Sequence, residues 1–150
     1  MCWTDINDDS DIKELMDSFM GFHDSCIVSI NYVSGAYVDA NEYMGFGDIR
    51  AHTVSMVFHS QWAKPLELCF SGVRKFAVTG FRENYFNDIF GASLQFRTDL
   101  FGRTRDDRLI VWADYEHFDP LTYTDRYPLN NGHEVTYAIA EKLKYRFIDK

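Results

Sequence analysis

The hydrophobic pattern of this chain changes period once, near residue 21, and that change constrains the fold more than any other feature. Before it, apolar residues recur at the three- and four-residue spacing of an amphipathic helix. After it, apolar and polar residues alternate in short runs, which is typical of half-buried strands. The pattern therefore predicts one N-terminal helix followed by a series of strands.

The helix is predicted over residues 10–20. Its apolar face consists of Ile12, Leu15, Met16, Phe19 and Met20. Asp11 and Glu14 have the spacing of a capping box at its start, and Gly21 stands where a helix-ending residue is expected.

Alternating runs predict strands over 26–33, 53–59, 66–71, 73–79, 91–98, 108–116 and 135–147. In the last run one parity is apolar apart from Glu141, and it comprises Val135, Tyr137, Ile139, Leu143, Tyr145 and Phe147. The polar stretch from Thr98 to Asp107 suits a hairpin loop. Residues 36–50 and 117–133 lack periodicity and are predicted to be long loops, where binding is most often found.

Short strands joined by short turns indicate an antiparallel sheet system. The predicted fold is mainly β, of the α+β type, with one N-terminal helix and six to eight antiparallel strands that form a β-sandwich or a half-open barrel. The 150 residues, 46% of them hydrophobic, suffice for one ordinary core, so residues 1–150 are read as a single domain. An open edge strand would permit homo-oligomers.

The net charge and the cysteines indicate which class of partner the protein binds and in which cellular compartment it lies. With 15 Lys+Arg against 23 Asp+Glu, the net charge of -8 disfavours nucleic acid and favours a basic protein partner. The apolar run Leu109–Ala113 is far shorter than the roughly 20 residues of a membrane span, and no secretory signal pattern opens the chain. Cys2, Cys26 and Cys69 form no C-x-x-C pair and are read as reduced thiols. We expect a cytoplasmic protein without a membrane partner.

Aromatic residues make up 17% of the chain, more than one small core packs comfortably. Some should therefore lie on the surface, and an exposed aromatic patch indicates a binding partner. The candidate binding residues are Trp62, Tyr85, Tyr115 and Tyr123.

His23 and Asp24 are the candidate catalytic pair, because an imidazole beside a carboxylate can act as a base with its orienting partner. Neighbours on a strand point to opposite faces, so the pair converges only where the backbone bends. A loop histidine, His117 or His133, would have to approach in space. No H-E-x-x-H, EF-hand or G-x-S-x-G pattern occurs, and neither a cofactor nor a metal is expected.

Two passages carry a family resemblance. The segment Phe22-His23-Asp24-Ser25-Cys26-Ile27 and the closing Leu143-Lys144-Tyr145-Arg146-Phe147-Ile148 resemble small uncharacterised bacterial proteins that have an early F-H-D segment and a late L-K-W-R-F-type strand. Tyr145 replaces the more usual tryptophan. The resemblance implies a domain of unknown function with an immunity-like or interaction role, and it transfers no catalytic residue to this chain.

Three functional hypotheses follow. The first is a non-enzymatic, acidic, cytosolic interaction domain, with an immunity-like role, that engages a protein partner through its two long loops and exposed aromatics. The second is a small metal-dependent hydrolase centred on His23 and Asp24. The third is a β-sandwich that binds a small molecule or a sugar.

Overall fold

A computed structural model describes residues 2–80, 87–101, 108–122 and 135–149. Within these ranges the chain forms one α-helix, α1 (Asp9–Ser18), and ten strands. The strands are β1 (Thr4–Asp5), β2 (Ser25–Val33), β3 (Tyr37–Val38), β4 (Met44–Gly45), β5 (Thr53–Ser60), β6 (Leu66–Ala77), β7 (Asp88–Ile89), β8 (Ser93–Arg97), β9 (Leu109–Ala113) and β10 (Tyr137–Phe147). Short 3-10 turns follow α1 and precede β5.

Helix α1 begins one turn earlier than the predicted capping box. Asp8 is the N-cap residue, and its side chain accepts from the Asp11 N–H at 2.9 Å. The Asp11 carboxylate accepts in return from the Asp8 N–H at 3.2 Å. The prediction that Asp11 and Glu14 form the box is therefore wrong, because Asp8 has the extended backbone that a cap requires and Asp11 already lies inside the helix.

Strand β6 joins two runs that the sequence pattern separated. Gly72 interrupts the alternation, but it lies inside one continuous strand with a φ of +65°. A side chain there would clash, because an added Cβ would lie 2.7 Å from the Glu141 carboxylate on β10. The interruption is thus an irregularity within a strand rather than a turn between two strands.

The first half of β10 is buried on both faces. Its pairing with β6 shifts register between Ile139 and Ala140. Ala138 and Ala140 pack in the main core with Leu143 and Tyr145, whereas Val135, Tyr137 and Ile139 pack in a second cluster with Val111 and Phe118. The single apolar parity predicted for this run therefore splits into two faces. The neighbouring β9 is also buried on both faces, which explains its uninterrupted apolar sequence.

The main sheet is curled so that its two ends come close. Its strand order is β7-β2-β5-β6-β10-β9-β8, with β1 paired to β10, and every pairing is antiparallel. Strands β7 and β8 stand at opposite ends of that order, yet only residues 90–92 separate them in the chain. So short a link spans at most about 14 Å. The sheet must therefore curve round into a half-open barrel.

Helix α1 packs against the concave face of this sheet. Leu15, Phe19 and Phe22 from the helix and its following turn have no exposed surface. The Phe22 and Phe58 rings lie 5.1 Å apart, and each lies within 5.5 Å of the Trp112 ring at an edge-to-face angle. This triangle joins α1 to the strands on both sides of the curl.

The mainly β, α+β fold with one N-terminal helix is confirmed, and of the two predicted architectures the half-open barrel is the one observed. Strands β8 and β9 pair as the predicted hairpin, although residues 102–107 of its loop lie outside the described ranges. The predicted loop 36–50 contains a small separate hairpin, in which β3 pairs with β4.

Replacing Phe58 with alanine should lower the free energy of unfolding by about 3–5 kcal/mol, because it leaves a cavity beside Phe22 and Trp112. Urea denaturation measures this loss. Phe90→Ala is the matched control, since Phe90 is 72% exposed and its loss should change stability by no more than about 0.5 kcal/mol. Equal losses for both variants would contradict the assignment of the core.

Candidate functional site

The first candidate surface is the segment 36–50, which we call the hairpin arm. Its β3 and β4 strands are joined by a tight turn in which the Asp39 carboxylate accepts from the Asn41 and Tyr43 N–H groups at 2.8 and 3.0 Å. The Asp39 N–H donates to the Tyr43 carbonyl at 2.9 Å, and Glu42 has a left-handed φ of +65°. Side-chain and backbone hydrogen bonds therefore fix the turn.

Contacts beyond the turn also hold the arm in one conformation. The Tyr37 ring lies across Gly45, where an added Cβ would come within 2.3 Å of the ring. At the base of the arm, His52 Nε2 lies 3.2 Å from the Phe46 carbonyl oxygen. The arm is thus shaped by its own contacts as well as by its attachment to β2 and β5.

The arm and the adjoining β2 present apolar side chains to solvent. Among the described residues, fifteen large apolar side chains are exposed, and nine of them lie between residues 28 and 49. Those in the arm are Tyr37, Val38, Tyr43, Met44, Phe46 and Ile49. Exposed Asp39, Glu42 and Asp48 stand among them against the single cation Arg50. The arm therefore combines exposed aromatic side chains with an excess of exposed carboxylates, which we call its acidic rim.

The second candidate surface contains His23, Asp24 and Trp62. Asp24 Oδ2 lies 3.0 Å from His23 Nδ1 and accepts from Trp62 Nε1 at 2.8 Å. The sequence predicted convergence of the histidine and the carboxylate only if the backbone bent there, and Asp24 has a φ of +58°. The bend brings the pair together, and the third partner comes from a position 38 residues away.

The turn that follows α1 creates this bend. Met20, Gly21 and Phe22 all have positive φ values, which are uncommon outside glycine. Gly21 thus lies in the turn and does not cap α1 directly. The turn is held because the Gly21 carbonyl accepts from the Ala92 N–H and the Asp24 N–H donates to the Ile89 carbonyl, both beside the link between β7 and β8.

Hydrogen bonding controls the charge of this second site. The Trp62 indole N–H, followed by the His23 imidazole, lowers the pKa of Asp24 more than its partial desolvation raises it. Asp24 is therefore a carboxylate that orients an imidazole, while His23 remains 57% exposed and accessible. Such a pair can accept or donate a proton at His23, and the fixed, exposed Trp62 ring can stack on a ligand.

The remaining predicted residues are not gathered into this site. His117 is exposed and its ring lies 5.7 Å from the Tyr115 ring, which is half-buried against the second apolar cluster. Tyr85, Tyr123 and His133 lie outside the described residues, as does the loop 117–133 beyond residue 122. Within the described ranges, no group of three or more histidine, cysteine or acidic residues could hold a metal ion.

The two candidate surfaces lie at opposite ends of β2. Ser25, beside Asp24, pairs with Ser60, whereas Val33, beside the arm, pairs with Thr53. Eight residue steps along a strand correspond to about 26 Å. Trp62 and the loop 36–50, which the sequence assigned to one binding surface, are therefore separate.

Comparisons with protein-family models, with curated protein sequences and with solved structures give no match. Over the part of the chain that is described, no helix combines the length and the apolar character needed to span a membrane. The two surfaces must therefore be interpreted through their own geometry.

Replacing Trp62 with phenylalanine should raise the pKa of Asp24 toward its ordinary value, because the indole donor to its carboxylate is lost. Since the folded-state pKa is lowered, ionised Asp24 stabilises the fold above its ordinary pKa, and this stabilisation is lost as the pH falls through the folded value. A titration of the Asp24 side-chain carboxyl carbon by NMR measures the change.

Trp3→Phe serves as the matched control, because Trp3 contacts Lys144 and Arg146 on β10 instead. An Asp24 pKa that is the same in Trp62→Phe and in the unaltered protein would show that the indole hydrogen bond does not hold the carboxylate.

Proposed function

We propose that this protein is a non-enzymatic interaction domain that binds a protein partner through the hairpin arm. The observation that carries the proposal is that six of the fifteen exposed large apolar side chains of the described residues lie in the arm, whose turn is fixed by hydrogen bonds. An immunity-like role, in which binding neutralises the partner, is the form that the family resemblance favours.

The composition of the arm agrees with that of interface hot spots. Tyrosine, phenylalanine and methionine are enriched where proteins meet, and large rigid rings bury much area with few rotatable bonds. Tyr43 is 71% exposed and Phe46 is 65% exposed, so both have most of their surface available to a partner. Burial of such rings is worth roughly 25 cal/mol for each Å² removed from water.

The fixed shape of the arm lowers the entropic cost of binding. A flexible loop must be ordered when its partner arrives, which costs about 0.5–1.5 kcal/mol for each immobilised side chain. Here the Asp39 turn and the stacking of Tyr37 on Gly45 already restrict the backbone and one ring before binding. The exposed apolar surface is therefore preorganised.

The acidic rim indicates the charge that a partner's surface should carry. Asp39, Glu42 and Asp48 are exposed in the same segment as the aromatic side chains, and the whole chain carries a net charge of -8. Such a field accelerates encounter with a basic surface and repels an acidic one. The proposed partner is thus a protein whose apolar patch has a basic rim.

A cytoplasmic location belongs to the same proposal, since Cys2, Cys26 and Cys69 are all unpaired thiols.

Replacing Tyr43 and Phe46 together with serine should abolish capture of the partner, because the two most exposed rings of the arm are lost while its turn hydrogen bonds remain. The experiment compares tagged proteins in lysate from the source organism, with retained proteins identified by mass spectrometry. Once the partner is known, each single change should raise Kd at least tenfold, which corresponds to a loss of about 1.4 kcal/mol of binding free energy.

The matched control is Phe90→Ser, which removes an equally exposed ring from outside the arm and should leave capture intact. Capture should also weaken as salt is raised, since the rim is charged. Undiminished capture by the Tyr43/Phe46 variant would exclude the arm as the interface, and the same loss in Phe90→Ser would show that the effect is not specific to it.

A further inference from the structure

A cleft of about 180 Å³ lies beside β2, and no residue of the arm lines it. It is lined by residues 27–30 of β2, by residues 78–80 just after β6, and by Asp114 at the end of β9. Val28 and Val78 are about half exposed and mark its mouth. A single water needs only ~10–15 Å³, so the cleft has room for a small ligand.

Asp114 is held firmly in this cleft by one of its two carboxylate oxygens. Its Oδ1 accepts from the Thr136 N–H at 2.9 Å, and its own N–H donates to the Thr136 carbonyl at 3.0 Å. The Thr136 hydroxyl accepts in turn from the Thr79 N–H at 2.9 Å. No other described residue donates a hydrogen bond to Oδ2. The carboxyl group is therefore oriented but retains an unused acceptor.

Among the described residues that line the cleft, none carries a positive charge to balance Asp114. Every other described residue that lines it is neutral, and the neighbouring Asp88 is exposed on β7. Desolvation raises the pKa of Asp114 to about 7, against the lowering effect of its backbone hydrogen bonds. A cation placed beside the carboxylate would relieve this cost.

The residues that line the cleft indicate what kind of cation it would bind. Ile27, Ile30 and Ile89 supply apolar surface that suits an alkyl chain. An ammonium group has three N–H donors, and the hydroxyls of Ser29 and Thr79 in the lining are acceptors that complement the carboxylate.

We propose that this cleft binds a small primary alkylammonium ion, whose N–H groups donate to Asp114 Oδ2 and whose alkyl chain packs on the isoleucine walls. This site is separate from the hairpin arm and does not depend on the proposed function. Binding neutralises the one charged group of the described lining and fills apolar space, which gives the ligand both its orientation and its affinity.

The direct test is isothermal titration of the full chain with n-butylammonium chloride at pH 6 and pH 8. Because the ligand requires the ionised carboxylate, and a proton competes for it near pH 7, binding should be about tenfold tighter at pH 8. The neutral probe n-butanol, which matches the alkyl chain, should bind more weakly and without pH dependence.

Asp114→Asn keeps an oxygen that can accept from Thr136 N–H, and it removes the charge. It should weaken n-butylammonium binding more than about tenfold and abolish the pH dependence. Asp88→Asn is the matched control, because it removes the same charge from an exposed neighbour and should change neither. Melting temperatures check that both variants are folded.

If Asp114→Asn does not fold, the pH dependence of the unaltered protein and the comparison of the two probes decide the question. The proposal is overturned by absence of n-butylammonium binding at both pH values, or by equal affinity for n-butanol. It is also overturned if n-butylammonium affinity falls as the pH rises, since binding would then not depend on the ionised carboxylate.

Discussion

The three-residue link between β7 and β8 is the constraint on which the rest of the structure depends. These strands end the sheet on opposite sides, so a link of about 14 Å can join them only if the sheet curls. Curling creates a concave apolar face that must be covered. Helix α1 covers it, and the Phe22, Phe58 and Trp112 rings meet where the helix turn reaches the strands on either side.

The same closure shapes the surface at His23. To bring Phe22 into the core directly after the helix, the chain passes through consecutive left-handed residues at 20–22 and again at Asp24. Backbone strain of this kind persists only where surrounding contacts enforce it, and here the Ala92 and Ile89 hydrogen bonds do so. The bend that buries Phe22 also turns the Asp24 carboxylate toward His23 and Trp62. Core packing and site geometry are therefore coupled in this turn.

The sequence predicts what periodicity encodes and misses what depends on distant contacts. The helix, the strands and the long loop 36–50 follow from local patterns, because each period reflects one buried face. Gly72 interrupts the pattern of β6, but pairing with β10 keeps the strand continuous. Trp62 and Asp24 are 38 positions apart, and no local signal links them.

The sequence does not single out the aromatic residues of the arm or Asp114 as site residues, for two different reasons. Tyr43 and Phe46 lie in an aperiodic segment that also contains glycines and carboxylates. This composition predicts a loop, but it does not show which rings of the loop are exposed. Asp114 follows the apolar run of β9 as a single polar residue. Only the three-dimensional packing shows that it borders a cleft and lacks a nearby cation among the described residues.

Amide hydrogen exchange, measured on the free protein and on the protein saturated with its partner, is the decisive test of whether a preorganised hairpin arm forms the partner-binding surface. We expect measurable protection of the Asp39 and Tyr43 amides before binding, because both are hydrogen-bonded within the arm. We also expect exchange across residues 37–49 to slow further in the complex. Unprotected arm amides in the free protein, or slowing confined to the surface formed by His23, Asp24 and Trp62, would exclude a preorganised arm as the interface.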